Sequence, residues 1–483
     1  MYNNYYQNGM GQTVPPDPKL NPYASHEYQQ NRPTEENIDL SPLKSYINIY
    51  EHGIHQNQKN FLQSTVSLVS VPKKKFDKTR IPLGLVYTPF MTGIPITRLE
   101  YHRMVRCRVC MAYLNPYVKI IDERSYYCSV CFAKNNLEQS AAGFGFDLLK
   151  RPELQYTNIE YDSEIGARNV PLSLSLVFLV DTSHVDSDCH LKTIAESLLN
   201  NLGKIPSDKR SAIAFITFDT FIHTYHVDVK EKGYEIEHNI ITDLNEPFYP
   251  SHESDFIRFN VDDRLKYFLS KLPDVIKINS AKDTDNCFGS ALIYCTNLLQ
   301  RMGGGRLTAF LSKPPNTGLY SYQVRNNSDD NSCMKASIDY YRKFALDILE
   351  KNISIDIFGL GNDGLDLSNL VPLSQITGGD VFISTKIDNS YRFKIWLKNT
   401  LETYLQRELR LTNSVKIRMN ENYENYQYLG NFMANSFSKI SFPVTSQYTT
   451  ITMQIQMVSN PPRDFSYNCF QASIYYTSFD GNC

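Results

Sequence analysis

The sequence predicts a multidomain chain of α/β plus β class. It should hold a small zinc-ribbon finger, a parallel-sheet α/β trunk, and a β-sandwich built from segments before the finger and after the trunk. Three observations point there. Two tight C-x-x-C pairs, Cys107/Cys110 and Cys128/Cys131, stand 17 residues apart. From about residue 171 to 408, short apolar strands alternate with helical stripes. On either side of these segments the pattern is of strands alone.

Bulk properties agree. A chain of 483 residues exceeds what one core can hold, and 42% apolar with 21% charged residues is a globular composition. A formal net charge of -2 argues against a nucleic-acid footprint, which needs a clear excess of Lys and Arg. No apolar run reaches the length of a membrane span. The start, Met1-Tyr2-Asn3-Asn4-Tyr5-Tyr6, lacks the basic and apolar regions of a secretory signal. The cysteines outside the pairs (Cys189, Cys287, Cys295, Cys333, Cys469 and Cys483) are therefore expected to be reduced, in the cytosol by default.

The elements follow in order. Residues 1–44, rich in Asn, Gln, Tyr and Pro, are expected to be disordered, since they cannot bury enough apolar surface to offset ordering. Residues 45–98 form the first part of the sandwich, with strands at Phe61–Val66 and Leu83–Tyr87. The Lys73-Lys74-Lys75 run between them reads as a solvated loop, with a phosphate or lipid contact as the lesser alternative. The finger occupies 99–137, and a connector containing Pro152 occupies 138–170.

The trunk, 171–408, opens with a continuously apolar strand, Leu172–Val180, of the kind covered on both faces. Leu191, Ile194, Ala195, Leu198, Leu199 and Leu202 then form one helix stripe, with Gly203 just past its end. Further strands are expected at Ala212–Phe218, Leu307–Leu311, Ile353–Phe358 and Val381–Ser384, and helices at Phe288–Met302, Ser337–Leu349 and Tyr391–Leu405. This alternation implies a parallel, doubly wound sheet. Residues 409–483 return to strands: Ser414–Met419, Ile440–Phe442, Thr449–Met457 and Phe470–Tyr476.

The paired cysteines carry the clearest chemistry. Two intervening residues let both thiolates of a pair turn toward one point, and the long gap supplies a hairpin that returns the second pair. Four thiolates close a tetrahedral zinc site with no position for water, so Cys107, Cys110, Cys128 and Cys131 are expected to hold one structural Zn2+. Such binding supplies about 10–16 kcal/mol of apparent energy, which is folding energy for a segment this small. Arg103, Arg106, Arg108, Lys119 and Arg124 make the finger locally basic.

Signals for catalysis are weak, and no catalytic or organic-cofactor residue is assigned. Asp181-Thr182-Ser183 ends the first trunk strand, where open parallel sheets bind ligands. It resembles the D-x-S-x-S metal motif of von Willebrand A-type domains, but Val185 replaces the last oxygen ligand, so a fold marker is expected rather than a cation site. Gly303-Gly304-Gly305 follows a helix and precedes a strand, the reverse of a phosphate loop, and reads as a turn, as does Gly378-Gly379. Asp219 could serve as a base, but no His or Cys partner can be argued for it from sequence, and the histidines are scattered.

Several stretches together resemble one family. Arg106 to Val118, closing with Tyr127-Cys128-Ser129-Val130-Cys131, is similar to the zinc finger of the COPII inner-coat proteins. Four others resemble the cargo-adaptor subunit, the Sec24 family, rather than its GTPase-activating partner. They are Phe178 to His184, Ile216-Thr217-Phe218-Asp219 with Ile222-His223, Asp243 to Pro250, and Phe470 to Ser478. Ile81 to Val86 also fits, and the resemblance runs from about residue 60 to the end.

The resemblance implies a von Willebrand A-like trunk and a cargo-selecting adaptor for endoplasmic reticulum to Golgi transport, not an enzyme. It implies a heterodimer with the GTPase-activating coat subunit, a membrane-bound small GTPase beneath, cytosolic tails of cargo and fusion proteins as ligands, and peripheral membrane contact without nucleic acid. The place implied is the cytoplasm, on endoplasmic reticulum membrane and COPII vesicles. Two departures stand out. The chain stops at Cys483, where the family continues into helical and gelsolin-like domains, and Gln63 stands where many adaptors carry an Arg that reads acidic signals. No cargo residue is assigned. The competing classes are a nucleic-acid-binding zinc-ribbon protein and a metal-dependent module using Asp181.

Overall fold

The computed structural model describes residues 61–66, 69, 72–122, 124–137, 151–162, 173–184, 187–231, 233–248, 256–258, 263–277, 284–325, 334–360, 365–384, 391–436, 439–460 and 468–478. The disorder expected of 1–44, much of the connector, Leu172, Val185, Cys333 and Cys483 lie outside these residues.

Strands β1 (Leu62–Ser64) and β2 (Leu83–Tyr87) pair antiparallel, with Gln63 opposite Val86. The lysine run between them is not a loop. Lys73–Thr79 form a short helix, α1, because lysine is a good helix former, Lys73 pairs with Asp77 one turn on, and Asn460 Oδ1 accepts the Lys73 N–H at 2.7 Å. Next come β3 (Thr97–Glu100) and the finger strands β4 (Lys119–Asp122), β5 (Ser125–Tyr127) and β6 (Lys134–Asn136), which form one antiparallel sheet. β7 (Ile159–Asp162) lies parallel to β3.

The trunk begins with β8 (Ser175–Asp181), buried at every position. Helix α2 (Ser187–Asn201) buries Leu191, Ile194, Ala195 and Leu198, while Leu199 is 37% exposed at the edge of the stripe. There follow β9 (Ala212–Phe218), β10 (Ile222–Lys230), β11 (Gly233–Ile241), the two-residue β12 (Ile257–Arg258), α3 (Asp263–Lys277) and α4 (Phe288–Arg301). The trunk closes with β13 (Gly305–Leu311), α5 (Tyr340–Leu349), β14 (Ile353–Gly359), α6 (Leu367–Thr377), β15 (Val381–Ile383) and α7 (Tyr391–Leu405).

The sheet order is β11-β10-β9-β8-β13-β14-β15. The five strands from β9 to β15 are parallel, whereas β10 and β11 form an antiparallel hairpin along one edge. Residues of α2, α3 and α7 fill the core on one face of the sheet, and residues of α4, α5 and α6 fill it on the other. This is the doubly wound arrangement expected. Two of the predicted turns hold because nothing larger than glycine fits. A Cβ on Gly305 would lie 2.3 Å from the Ser175 carbonyl oxygen, and one on Gly379 would lie 1.9 Å from that of Ile355.

The last segment supplies β16 (Arg410–Arg418), β17 (Tyr423–Leu429), β18 (Met433–Ser436), β19 (Lys439–Thr445), β20 (Ile451–Met457) and β21 (Gln471–Ser478). They stack as two sheets, β1-β2-β20-β17 and β18-β19-β16-β21. β2 pairs with β20, Leu85 opposite Met453, so strands from before the finger and after the trunk share one sheet. Leu83, Leu85, Val415, Phe442, Met453 and Ile455 are among the residues that fill the space between the sheets. Strand β16 starts four residues before the expected Ser414. Burial alternates through Leu411, Asn413, Val415 and Ile417, but the polar Asn413 at a buried position hides the start of the pattern in the sequence, and a bulge lies between Leu411 and Ser414.

Candidate metal centre

The finger is built from two matching turns. In the first, the Cys107 N–H donates to the Ala112 carbonyl at 2.7 Å, Met111 N–H returns to the Cys107 carbonyl at 3.0 Å, and Val109 N–H points at Cys107 Sγ at 3.4 Å. The second repeats it. Cys128 N–H donates to Ala133 O at 2.9 Å, Phe132 N–H to Cys128 O at 3.0 Å, and Val130 N–H to Cys128 Sγ at 3.4 Å. Met111 and Phe132, each just after the second cysteine of its pair, both have a φ of 61°. The chain is thus forced back twice in the same way, and each turn aims two sulfurs inward.

The four sulfurs of Cys107, Cys110, Cys128 and Cys131 lie within 4.8 Å of one another, with Cys107 to Cys131 at 3.5 Å and Cys110 to Cys128 at 3.6 Å. Tetrahedral Zn–S bonds of about 2.3 Å would place sulfurs about 3.8 Å apart, so the donor set fits one zinc ion. Asn135, a residue no spacing rule singled out, sits beneath the site. Its amide donates to Cys107 Sγ at 3.3 Å, and its Oδ1 accepts the Arg108 N–H at 2.9 Å. Burial opposes ionisation of Cys107, but the N–H groups of Cys110 and Val109 and the Asn135 amide overcome it and bring the thiol down to about 7. Burial, and then the neighbouring thiolates, push Cys131 up to about 11 and Cys128 further. Four sulfurs this close cannot all be charged without a cation, and a bound divalent ion removes the conflict.

Two side chains fasten the finger to the sandwich. Gln471 of β21 uses both ends of its amide on one residue: Tyr113 N–H donates to Oε1 at 2.7 Å, and Nε2 donates to Tyr113 O at 2.9 Å. Asn420 Nδ2 donates to Val130 O at 3.0 Å, and Cys469 packs against the knuckles. Sequence placed Gln471 in a strand, but only the fold shows what its amide meets.

The second expected location is the crevice at the C-terminal ends of the parallel strands. Asp181 is fully buried there. Its Oδ1 accepts the Ser183 N–H at 2.9 Å and hydroxyl at 2.6 Å. Its Oδ2 accepts Asn286 Nδ2 at 2.9 Å, the Ser312 N–H at 2.8 Å and hydroxyl at 2.7 Å, and the Lys313 N–H at 3.2 Å. The Lys313 ammonium donates to the carbonyls of Ser183 and Thr284 at the same spot. The carboxylate that would grip a cation is occupied by its own chain, in keeping with a fold marker.

One expectation requires correction. Asp219, which sequence left without a partner, has one: His223 Nε2 lies 3.0 Å from Asp219 Oδ1, and His223 Nδ1 lies 3.0 Å from His238 Nε2. The β9–β10 turn and the β10–β11 pairing bring the three together, and an alternation of strands does not announce such a hairpin.

The Sec23/Sec24 trunk domain matches residues 171–405, and the Sec23/Sec24 zinc finger matches residues 104–140, which include all four cysteines. The human protein transport protein Sec24B is 27% identical over 439 residues, covering 86% of this chain and 34% of its own length. Human Sec24A is 27% identical over 465 residues, 92% of this chain and 42% of that protein. A Neurospora crassa protein transport protein, sec24, is 26% identical over 449 residues, 87% and 46%. This chain therefore spans between 34% and 46% of the length of these relatives. The crystal structure of the human COPII-coat protein Sec24c shares the fold, with a TM-score of 0.76 at 18% identity over 87% of this chain and 59% of that one.

Proposed function

We propose, from the premise that this chain belongs to the Sec23/Sec24 family, that it works as a cargo-selecting adaptor of the COPII coat in transport from the endoplasmic reticulum to the Golgi. The observation that carries this reading is the joint presence, in one chain, of the finger, the trunk and a sandwich split around them, an arrangement shared with a COPII-coat protein. Cys107, Cys110, Cys128 and Cys131 hold one structural zinc, and the finger runs through about 99–137 between the two sandwich segments. The trunk, about 171–408, pairs with the GTPase-activating coat subunit above a membrane-bound small GTPase. Cytosolic tails of cargo and fusion proteins are the ligands, read at the endoplasmic reticulum membrane from the cytoplasmic side.

Physical features favour binding over catalysis. Four thiolates leave zinc no open position for substrate or water. The crevice where parallel sheets place ligands is filled by the partners of Asp181. A finger closed by metal and two layers of packed sheet suit a protein that docks others. Gln63 lies exposed on β1, and its neutral amide offers an acidic signal no charge to pair with.

Co-purification is the test. The zinc-loaded chain, expressed with the GTPase-activating coat subunit, should elute with it as a stable heterodimer through gel filtration. Separate elution of two well-folded proteins would end this reading, and tight, salt-sensitive retention on a nucleic acid column would favour the zinc-ribbon alternative.

A further inference from the structure

Helix α1 carries a charge arrangement that its own fold does not explain. It reads Lys73-Lys74-Lys75-Phe76-Asp77-Lys78-Thr79, and Arg80 follows. Three lysines occupy the first turn, where no acidic residue stands, although the macrodipole favours carboxylates there and disfavours cations. Lys74 and Lys78 are one turn apart, a spacing at which like charges repel. No residue of the helix is buried. Its hold on the sandwich is the half-buried Phe76 packed on that core and the bond from the Lys73 N–H to Asn460. A local choice that works against the local structure is expected where something outside the fold makes use of it.

Within residues 73–80 there are five cations and one carboxylate, in a chain whose formal net charge is -2. Asp77 is taken by Lys73 at 2.7 Å. Lys74, Lys75, Lys78 and Arg80 are exposed, and no ion pair holds them among the described residues. The backbone forms no cradle for a single small anion. The Lys73 N–H is spent on Asn460, and those of Lys75 and Phe76 on the Pro72 carbonyl. Cationic ends spread over two turns suit an extended negative surface instead. Ile81, 54% exposed, comes directly after Arg80, and Val458, 39% exposed, lines the same cleft beside the helix. Basic side chains that attract, next to apolar ones that can enter, are the pairing used at a membrane interface.

We propose that α1 and Arg80-Ile81 form a membrane-contact patch, in which Lys74, Lys75, Lys78 and Arg80 meet the headgroups of anionic phospholipids and Ile81 reaches the acyl boundary. This deepens the coat reading by giving its peripheral membrane contact a location, and it rests on that reading only for which membrane is met. The two fail separately, because vesicle binding needs no coat partner.

The experiment is co-sedimentation of the full chain with phosphatidylcholine vesicles, with and without phosphatidylserine. The parent protein should partition onto the phosphatidylserine vesicles and release as salt is raised. The triple variant Lys74→Glu/Lys75→Glu/Lys78→Glu should lose at least about tenfold in partitioning. The triple Lys→Arg variant should retain it. Lys74→Glu and Lys75→Glu suit the first turn and offset Lys78→Glu in the last, so the Glu variant should melt close to the parent and keep its zinc, and its loss of binding then reports lost contact. Unchanged binding by the Glu variant would overturn the proposal. So would equal binding to phosphatidylcholine alone, or a preference for a single-stranded oligonucleotide over the vesicles.

Discussion

In the finger, four buried or half-buried sulfurs lie within 4.8 Å of one another, and the protein supplies little to neutralise them beyond a few N–H groups. In the trunk, the Asp181 carboxylate is just as enclosed, yet six hydrogen bonds from its own chain reach it. One site is complete only with an ion from outside, and the other has been completed from within. The difference follows from size. Each face of the trunk sheet has its own large apolar core to carry the cost of burying a charge. Among the described residues, the finger has small clusters around Val105, Leu114, Val118 and Tyr126 and around the cysteines, too little apolar core to hold a hairpin together.

The sharpest way to break this contrast is to remove the ion. Chelation, or Cys128→Ser, should abolish zinc binding and with it folding energy of about 10 kcal/mol or more. The loss should be read as disappearance of the one zinc in native mass spectrometry and as rapid proteolysis confined to about 104–137, with the trunk still melting cooperatively. If the finger stayed protected without metal, the hairpin would owe its fold to Gln471 and Asn420, and the contrast would fall. The second test acts on the other side. Asp181→Ala leaves the Ser312, Asn286 and Lys313 donors facing an empty space and should cost about 3–5 kcal/mol of trunk stability in urea unfolding. Magnesium added to the parent chain should leave its melting temperature unchanged, because no lone pair of Asp181 is left to offer. A magnesium-induced rise that Asp181→Ala removes would show an open cation site.

What could be seen in the sequence divides along the same line. The finger was legible because metal chemistry dictates spacing, and spacing is a property of sequence. The strands of the doubly wound sheet were legible because burial on both faces leaves uninterrupted apolar runs, as at Ala212–Phe218, found with its expected bounds. Helices with mixed signals were not. α3 contains Pro273 and α6 contains Pro372, and α6 turns the polar Asn369, Ser374 and Thr377 toward the core beside Leu370 and Leu373, so it shows no clean apolar stripe. The β10–β11 hairpin escaped because its polar positions, Glu235 and Glu237 among them, look like those of a loop. The groups that finish each site were the least legible. Asn135, Asn286, Ser312 and Gln471 are ordinary polar residues whose role depends on what the fold brings to them, in three cases from more than a hundred residues away.

Between the ion-completed site and the self-completed one stands a third, completed by a proton. The His223 and His238 rings meet nitrogen to nitrogen at 3.0 Å, an arrangement that works with one hydrogen between them and fails with two. Burial, and then the neighbouring His223, lower the pKa of His238. Burial alone would raise Asp219, but the hydrogen bond from His223 and the Phe221 N–H outweigh it and hold the carboxyl below the usual range. The signs then follow. A histidine whose folded pKa lies below its unfolded value of about 6.5 contributes stability that is fully present above that pH and lost as pH falls toward the folded value. Asp219, depressed from an unfolded value of about 3.9, contributes stability that is lost only as pH falls below that value. His238→Gln keeps an amide that can donate to His223 but cannot titrate. It should flatten the decline in stability below about pH 6.5 by less than about 1 kcal/mol, since the ring is half open to solvent and screened. Urea titrations of parent and variant at several pH values measure this directly. Curves that fall in parallel through that window would mean the pair tolerates its second proton, and this site would then belong with Asp181, finished by the chain alone.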